Sequence, residues 1–223
     1  MLAKAYDWLD DRLGVKPIVK DVVEHPVPEH VNPVLHAKAV VYCFGGITFL
    51  LFVLLITTGI FLTMYYVPSP DHAYDSVRYI TDEVAFGQIV RGIHHWSASG
   101  IVVMVVLHML RVYLQGAYKA PRELNWVAGV VLLMVVMGFG FTGYLLPWDQ
   151  KAYWATTVGT KMAEQTPLIG NFVLTVLRGG EELGAVTLSR FYSLHIWFLP
   201  AVAISFLGLH FLMIRRQGIS GPM

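Results

Sequence analysis

The sequence predicts an all-α fold, a bundle of four helices that cross a membrane. The composition is 56% hydrophobic and only 14% charged, the mean hydropathy is +0.57, and four long stretches contain no Asp, Glu, Lys or Arg. Soluble domains carry about 25% charged residues, so this chain lacks the charge that a water-facing surface needs. Four helices buried in a soluble core would also need more amphipathic sequence around them than the chain has left.

The four uncharged stretches define the predicted spans in order. They lie between Lys38 and Asp71, Arg91 and Arg111, Glu123 and Asp149, and Arg190 and Arg215. Each holds a run that can cross a hydrocarbon layer of ~30 Å as a helix of about 20 residues. We place the spans at residues 40–64, 91–112, 125–146 and 191–213. The predicted domains are an N-terminal inner-side segment, 1–38, and a four-helix membrane domain, 39–223.

Positive charges in the loops predict the orientation. They concentrate in the N-terminal segment, in the loop between the second and third spans and after the fourth span: Lys4, Arg12, Lys16, Lys20, Lys38, Lys119, Arg122, Arg215 and Arg216. By the positive-inside rule, both termini then lie on the inner side of the membrane. The long connection after the third span has a net charge near zero and contributes little. The second and fourth spans therefore run in the same direction, inward.

Several classes of protein are excluded. A net charge of +1 argues against a basic surface for nucleic acid. The single cysteine, Cys43, supplies neither a disulfide framework nor a Cys-rich zinc or iron–sulfur site within the chain. Residues 1–38 are polar and mixed in charge, so we expect no signal peptide there.

Histidines inside the second and fourth spans are the main functional signal. His94 and His108 are fourteen residues apart, and His195 and His210 are fifteen apart. These spacings place the two side chains of each helix within about 40° and 60° of one another, roughly 21 and 22 Å along the axis. Because the two helices run in parallel, depth pairs His94 with His195 on the outer side and His108 with His210 on the inner side.

Two facing imidazoles at each of two depths fit two stacked b-type haems, each iron held by two axial histidines. A single histidine in a span would equally suit a hydrogen bond between helices. A zinc or copper site would need ligands clustered at one depth, commonly with carboxylate or thiolate help. A proton relay usually adds Asp or Glu, and these spans have neither.

Glycines recur with the same spacing on the other two helices. Gly45 and Gly59 are fourteen residues apart on the first span, and Gly129 and Gly143 bracket the third. Small residues in membrane helices commonly serve packing. Because these four glycines share the spacing of the histidines, we interpret them as positions at which the helix backbone leaves room for the flat haem macrocycles. Arg91 and Arg111, at the ends of the second span, are candidates for pairing with haem propionates, although arginine at a membrane margin is also an ordinary anchor.

Six motifs resemble the cytochrome b family, most closely its split form, cytochrome b6 and the related bacterial menaquinol:cytochrome c reductase subunit. The resemblance covers essentially the whole chain. The matching stretches are Tyr6-Asp7-Trp8, Tyr42-Cys43-Phe44-Gly45-Gly46, His94-His95-Trp96-Ser97-Ala98-Ser99, Lys119-Ala120-Pro121-Arg122-Glu123-Leu124, Gly143-Tyr144-Leu145-Leu146-Pro147-Trp148-Asp149-Gln150 and Gln217-Gly218-Ile219-Ser220-Gly221-Pro222.

The resemblance implies a function for the chain. It implies a transmembrane electron-transfer subunit of a quinol:electron-acceptor oxidoreductase of the cytochrome bc or b6f type, which is incomplete as an enzyme alone. Quinol would be oxidised outside, electrons would pass through two haems b to a quinone on the inner side, and protons would be translocated. The four histidines above match the family's haem ligands, and His95 has no ligand role.

The family also implies a third haem and a quinone site. A c-type haem is attached through a single thioether to a cysteine at the position of Cys43, whereas a lone cysteine would otherwise suggest packing. The segment 147–158 would line the quinol pocket. The implied quinone-site residues are Trp148, Asp149, Ala155, Val158 and Asp21, and Arg215 is an implied propionate partner.

The implied partners complete the enzyme. They are a three-helix subunit with the Pro-Glu-Trp-Tyr quinol-site motif, which this chain lacks, a Rieske iron–sulfur protein and a c-type cytochrome, in a homodimeric complex. About seven additional residues around 33–39, and His95 in place of the arginine of plant-type chains, resemble the Gram-positive bacterial form. We therefore expect menaquinol rather than plastoquinol, and a bacterial cytoplasmic membrane rather than a thylakoid.

Two alternatives remain from the residues alone. One is a dihaem cytochrome b that anchors a dehydrogenase or hydrogenase to the membrane and only relays electrons. The other is a non-redox helix bundle, a transporter or assembly scaffold, in which the histidines are structural.

Overall fold

The computed structural model describes residues 43–218 together with Lys4, Asp7 and Asp10. The chain divides into two compact units, Met1–Val40 and Val41–Met223. In the first unit the three described residues are helical. In the second unit, every regular element among the described residues is a helix. The prediction of an all-α membrane protein is confirmed.

Eight α-helices follow one another in the described part of the second unit. They are α1 (Phe44–Thr63), α2 (Ala73–Asp82), α3 (Gly87–Leu114), α4 (Glu123–Leu145), α5 (Gln150–Glu164), α6 (Gly170–Arg178), α7 (Ala185–Ser193) and α8 (Leu199–Gln217), with a π-helical turn, Leu194–Phe198, between α7 and α8. Four continuous helices are long and apolar enough to cross a membrane: α1, α3, α4 and the run Ala185–Gln217. The fourth membrane-spanning helix begins six residues before the span predicted from the sequence. Helices α2, α5 and α6 were not predicted.

The long helices present apolar side chains outward. Leu50, Val103, Met134 and Ile204 are each more than half exposed, although each lies in the middle of a span. Such a surface suits hydrocarbon rather than water, because lipid removes the cost of exposing it. The chain is therefore an integral membrane protein.

The four spans associate as two pairs. Helix α1 packs most extensively on α3, and α4 packs on α8, whereas α3 and α4 are in contact at fewer positions. The seam between these pairs is the place where the histidines of α3 face those of the fourth span. We call its two ends the His94 end and the His108 end.

A small apolar core closes the His94 end. Ala73, Leu145, Leu188 and Phe191 are buried there, which ties α2, the end of α4 and α7 together. The Tyr66 hydroxyl donates a hydrogen bond of 2.7 Å to the carbonyl of Leu146 in the same region. Burial raises the pKa of Tyr66 above its usual range, so the hydroxyl keeps its proton and remains a donor.

A buried arginine fixes the connection after α4. Arg178 is only 4% exposed, and its guanidinium donates to the Thr160 hydroxyl at 2.7 Å and to the carbonyls of Glu181 and Thr157 at 2.8 and 2.9 Å. A buried charge needs such partners to offset its lost hydration. These bonds hold α5 against the end of α6, and α5 carries part of the predicted quinone site.

Candidate paired-histidine site

Four histidines meet as two pairs across the seam. The ring centroids of His94 and His195 are 6.5 Å apart, with an angle of 61° between the ring planes. The centroids of His108 and His210 are 6.4 Å apart, with an angle of 82°. The structure thus brings together the residues that the sequence paired by depth. His95, the neighbour of His94, points away and is exposed.

The π turn brings His195 into register with His210. In this turn the Leu199 amide donates to the carbonyl of Leu194, five residues back, so the turn holds one residue more than an α turn. Because of this extra residue, the fifteen residues from His195 to His210 turn around the helix axis as fourteen residues of a regular α-helix would. Fourteen residues is also the spacing of His94 and His108. Pro200 explains the position of the turn, because its missing N–H and its ring disrupt the normal ladder just before it.

Each imidazole lies against one glycine of the opposite helix in its pair. A Cβ built on the glycine would meet the ring Cε1 at 3.4 Å for Gly59 and His94, 2.7 Å for Gly143 and His195, 3.2 Å for Gly45 and His108, and 3.8 Å for Gly129 and His210. The four glycines predicted from spacing are therefore at the site. The atoms that they face in the structure are those of the histidine rings, so the glycines clear space for the imidazoles. Clearance of a haem macrocycle by these glycines stays a prediction.

Threonine hydroxyls contact both imidazoles of the His94 end. The Thr58 Oγ1 lies 2.9 Å from the Nδ1 of His94, and the Thr142 Oγ1 lies 3.0 Å from the Nδ1 of His195. Sequence reasoning missed these residues. The available signal was the Thr-Gly pair that ends each fourteen-residue glycine repeat, at 58–59 and 142–143.

A cavity of about 270 Å³ occupies the His108 end. Its walls include both imidazoles and both glycines of that end, together with mainly apolar side chains and two arginines, Arg111 and Arg122. Arg122 also donates to the carbonyl of Gln217 at 3.3 Å. Arg111 was a predicted propionate partner; Arg122 was not, although it lies in one of the quoted motifs.

The other predicted propionate partners lie elsewhere on the ends of the helices. Arg91 is exposed, donates to the Thr81 hydroxyl at 3.3 Å and lines a polar cleft of about 330 Å³ with Arg78, Asp82 and Asp149. Arg215 is half-buried in the last turn of α8.

The predicted quinone-site residues separate into two groups. Asp149 caps the start of α5 by accepting a 2.8 Å hydrogen bond from the Ala152 amide, and Trp148 packs against the core of the His94 end. Ala155 and Val158 are exposed on α5. Asp21, and the insertion at 33–39, lie outside the described residues.

Cys43 directly precedes α1 and is exposed, with a free thiol. It lies two residues before Gly45, which faces His108. Among residues 43–218 no group of three or more His, Cys, Asp or Glu is close enough to hold a metal ion. The arrangement therefore offers two imidazoles per site, and the remaining bonds of a metal would have to come from another group, such as a porphyrin.

Comparison with known proteins decides the family. The model of the Cytochrome b/b6/petB family matches residues 23–218. The chain belongs to the cytochrome b family. It is 59% identical, over the full length of both chains, to the menaquinol:cytochrome c reductase cytochrome b subunit of Geobacillus thermodenitrificans, and 49% identical to the cytochrome b6 of Euglena gracilis, again over both full lengths.

A solved structure supports the same conclusion. The chain resembles one titled "Hyperthermophilic respiratory Complex III" with a TM-score of 0.82 and 33% sequence identity. The similarity covers 97% of this chain and 56% of that one, so the chain spans about half the length of this structural relative.

Cytochromes b bind b-type haem, and the paired histidines fit it. With imidazole–metal bonds of about 2 Å on each side of an iron, the centroids of two axial rings lie roughly 6 Å apart. The observed 6.5 and 6.4 Å agree with this value at both ends. The cavity at the His108 end adds apolar walls for a macrocycle and arginines for anionic groups.

Proposed function

We propose that this chain transfers electrons across the membrane between two bis-histidine haems, as the cytochrome b subunit of a menaquinol-oxidising complex. The observation that carries the proposal is the pair of imidazoles at each end of the seam, with matching centroid distances and a glycine behind each ring. His94 and His195 are the proposed ligands of one iron, and His108 and His210 of the other.

The chain contributes position and environment. The haems supply one-electron redox chemistry when they are bound. The histidines set their separation, because each helix presents its two imidazoles at opposite ends of a bilayer-spanning segment. Buried apolar side chains between the two ends, such as Ile101 and Val105, exclude water from the region between them. Arg111 and Arg122 are the proposed partners of propionates at the His108 end, Arg91 at the His94 end, and Arg215 at the inner margin.

The orientation and the quinone sites follow from the charges and from α5. We assign both termini and the His108 end to the inner side of a bacterial cytoplasmic membrane. Helix α5 buries Ala152, Thr156 and Thr160, whereas Trp154 and Val158 are more than half exposed. This apolar outward face, with Ala155 beside it, supports a quinol pocket shared with another subunit.

The cytochrome b family works within multisubunit oxidoreductases. The proposed partners of this chain are the three-helix subunit, the Rieske protein and the c-type cytochrome, in a dimeric complex. Menaquinol as substrate is supported by the higher identity to the menaquinol-linked relative, 59%, than to the cytochrome b6 of Euglena gracilis, 49%. The family match disfavours the dehydrogenase or hydrogenase anchor and the non-redox bundle.

A third haem at Cys43 is also part of the proposal. The thiol is exposed and free, and its position before α1 places it at the His108 end, close in sequence to a glycine of that site. A single thioether bond to a haem there is compatible with these features.

The test is haem content and redox spectra of histidine variants in the purified complex. His108→Ala and His210→Ala should remove the inner b haem, and His94→Ala and His195→Ala the outer one, each with loss of quinol:cytochrome c reductase activity. His95→Ala is the matched control, because His95 neighbours a ligand but is exposed; it should retain both haems. A wild-type complex without two b haems, or a His108→Ala variant that loses only the haem shared by His94 and His195, would contradict the assignment.

A further inference from the structure

The His94 end and the His108 end differ in the groups that contact their imidazoles. Thr58 and the following glycine, Gly59, both contact His94, and Thr142 and Gly143 both contact His195. The two helix pairs therefore contact their histidines in the same way at the His94 end. At the His108 end the corresponding positions, immediately before Gly45 and Gly129, hold Phe44 and Ala128. Neither of those side chains has a hydroxyl.

The threonine hydroxyls accept from the imidazoles when Nε2 of each ring binds an iron. Thr58 Oγ1 lies 2.6 Å from the carbonyl of Leu54, and Thr142 Oγ1 lies 2.8 Å from the carbonyl of Gly138. A carbonyl cannot donate, and a hydroxyl has one proton, which goes either to this carbonyl or to an Nδ1 that carries no hydrogen. If Nε2 holds an iron, as proposed above, Nδ1 carries the hydrogen, and the hydroxyl donates to its carbonyl. In that state the hydrogen atom in each threonine–histidine contact is on the imidazole Nδ1.

This bond fixes the form of the ring. With Nδ1 protonated, Nε2 of His94 and of His195 carries the free lone pair that a metal requires. Thr58 and Thr142 are only 6% and 5% exposed, so bulk water does not compete for Nδ1. An acceptor on Nδ1–H also orients the ring and makes Nε2 a stronger electron donor.

We propose that Thr58 and Thr142 are positioning residues that lower the reduction potential of the haem at the His94 end relative to the haem at the His108 end. This inference rests on the proposed function. An electron-richer imidazole stabilises the ferric over the ferrous iron. The haem would supply the one-electron chemistry when bound, and the two threonines would act on it only through the imidazoles of His94 and His195. The two hydroxyls thus favour onward transfer to the His108 end.

The experiment is a redox titration of the purified complex with Thr58→Val, Thr142→Val and the double variant. Valine keeps the shape of threonine and removes the hydroxyl acceptor, so that only the backbone carbonyls of Leu55 and Phe139 are left to accept from His94 and His195. At a fixed potential near the midpoint, we expect the ferrous-to-ferric ratio of the His94-end haem to rise about threefold in each single variant. In the double variant we expect about tenfold, which is 59 mV for a one-electron couple. The ratio for the His108-end haem should not change.

Two further sets of variants separate positioning from packing. Thr58→Ser and Thr142→Ser should keep the wild-type potential, because serine retains the hydroxyl that valine lacks. Thr57→Val is the matched control: Thr57 makes the same bond to a carbonyl four residues back, 2.9 Å to Val53, on the exposed side of α1. If a valine variant fails to assemble, Thr58→Ala and Thr142→Ala remove the hydroxyl without adding a group.

Equal shifts at both haems, no shift in a valine variant that retains its haem, or a serine variant that shifts as far as the valine variant would overturn the inference. A wild-type complex that lacks two separately titrating b haems would instead overturn the proposed function.

Discussion

At the scale of single residues, the site depends on contacts between a glycine and an imidazole. In the proposed haem sites, each imidazole ring stands between the neighbouring helix and an iron, so each histidine has to approach that helix closely. The tightest contact is at Gly143, where a Cβ would lie 2.7 Å from the Cε1 of His195, and the loosest is at Gly129, where the distance to His210 is 3.8 Å. The four glycines are therefore not equivalent, although their spacing in the sequence is regular.

We predict that Gly143→Ala lowers occupancy of the His94-end haem and leaves the other haem in place. The added methyl group collides with a ring that is held on both sides, and such overpacking costs about 1–3 kcal/mol. Gly129→Ala should be tolerated, because its Cβ would be in ordinary contact. Haem content from reduced-minus-oxidised spectra measures both effects.

Gly140 provides the control on the same helix. Nothing lies within 4 Å of a Cβ at Gly140, so Gly140→Ala should be neutral or stabilise α4 by roughly 1 kcal/mol. If Gly143→Ala retains both haems as fully as Gly140→Ala does, close contact with His195 is not what requires glycine there.

The second residue-scale prediction concerns Cys43. If its exposed thiol forms a thioether with a haem, the denatured subunit retains haem that stains on a gel, and Cys43→Ser abolishes the stain. Both b haems should remain, since each is held by its own two histidines. A wild-type subunit without covalent haem would leave Cys43 as an ordinary exposed cysteine.

At the scale of elements, the π turn is the feature that sets the register of the fourth span. A regular helix would place His195 about 60° away from His210 around the axis. The turn absorbs one residue between them, and both imidazoles then face the seam. The extra residue of the turn has no need to bind a metal or to pack in the bundle. Trp197 lies within the turn and is 74% exposed, so it can be removed without loss of a buried contact.

Deletion of Trp197 should therefore preserve both haems. The π turn becomes an α turn, and His195 keeps its orientation relative to His210. The matched control is deletion of Met134, which is 63% exposed and lies in α4 between Gly129 and Gly143. No π turn is present in α4, so this deletion rotates one glycine by about 100° relative to the other.

Haem content again measures the outcome. We expect two b haems per chain after the deletion of Trp197, and loss of one or both after the deletion of Met134. Loss of the His94-end haem in the Trp197 variant would show that the π geometry itself, and not only the register, is required.

At the scale of the whole molecule, the haems would connect two helix pairs. Helices α1 and α3 form one pair and α4 and α8 the other, and each proposed iron binds one histidine from each pair. Few side chains in the spans are buried within the chain. The bonds across the seam should therefore contribute much of its tertiary stability, since a ligand that binds only the folded state stabilises that state.

We predict that the double variant His94→Ala, His108→Ala unfolds at a lower temperature than the wild type in the same detergent. A ligand present at about 1,000 times its dissociation constant stabilises by about 4 kcal/mol, which corresponds to roughly 10 °C for a chain of this size. Thermal loss of helicity measures the change, and His95→Ala is the control. An unchanged transition in a haem-free double variant would show that direct helix packing alone holds the pairs together.

The sequence alone determined the number of spans and the position of each histidine along its helix, whereas the direction of the spans across the membrane stays a prediction. These features follow from the fixed rise and period of a helix and from charges that cannot enter hydrocarbon. The same logic located the four glycines. It did not yield α5, because that helix buries alanine and threonine and exposes larger apolar side chains, the reverse of the pattern expected for a soluble surface.

Only the tertiary structure decided which atoms meet. The hydrogen bonds of Thr58 and Thr142 to the imidazoles, the π turn at His195 and the place of Arg122 in the cavity all depend on distances between different helices. Periodicity fixes the positions of side chains around one helix axis. The separation of two axes, and the local path of the backbone near Pro200, are set by packing across the whole bundle, and a pattern read along a single helix does not contain them.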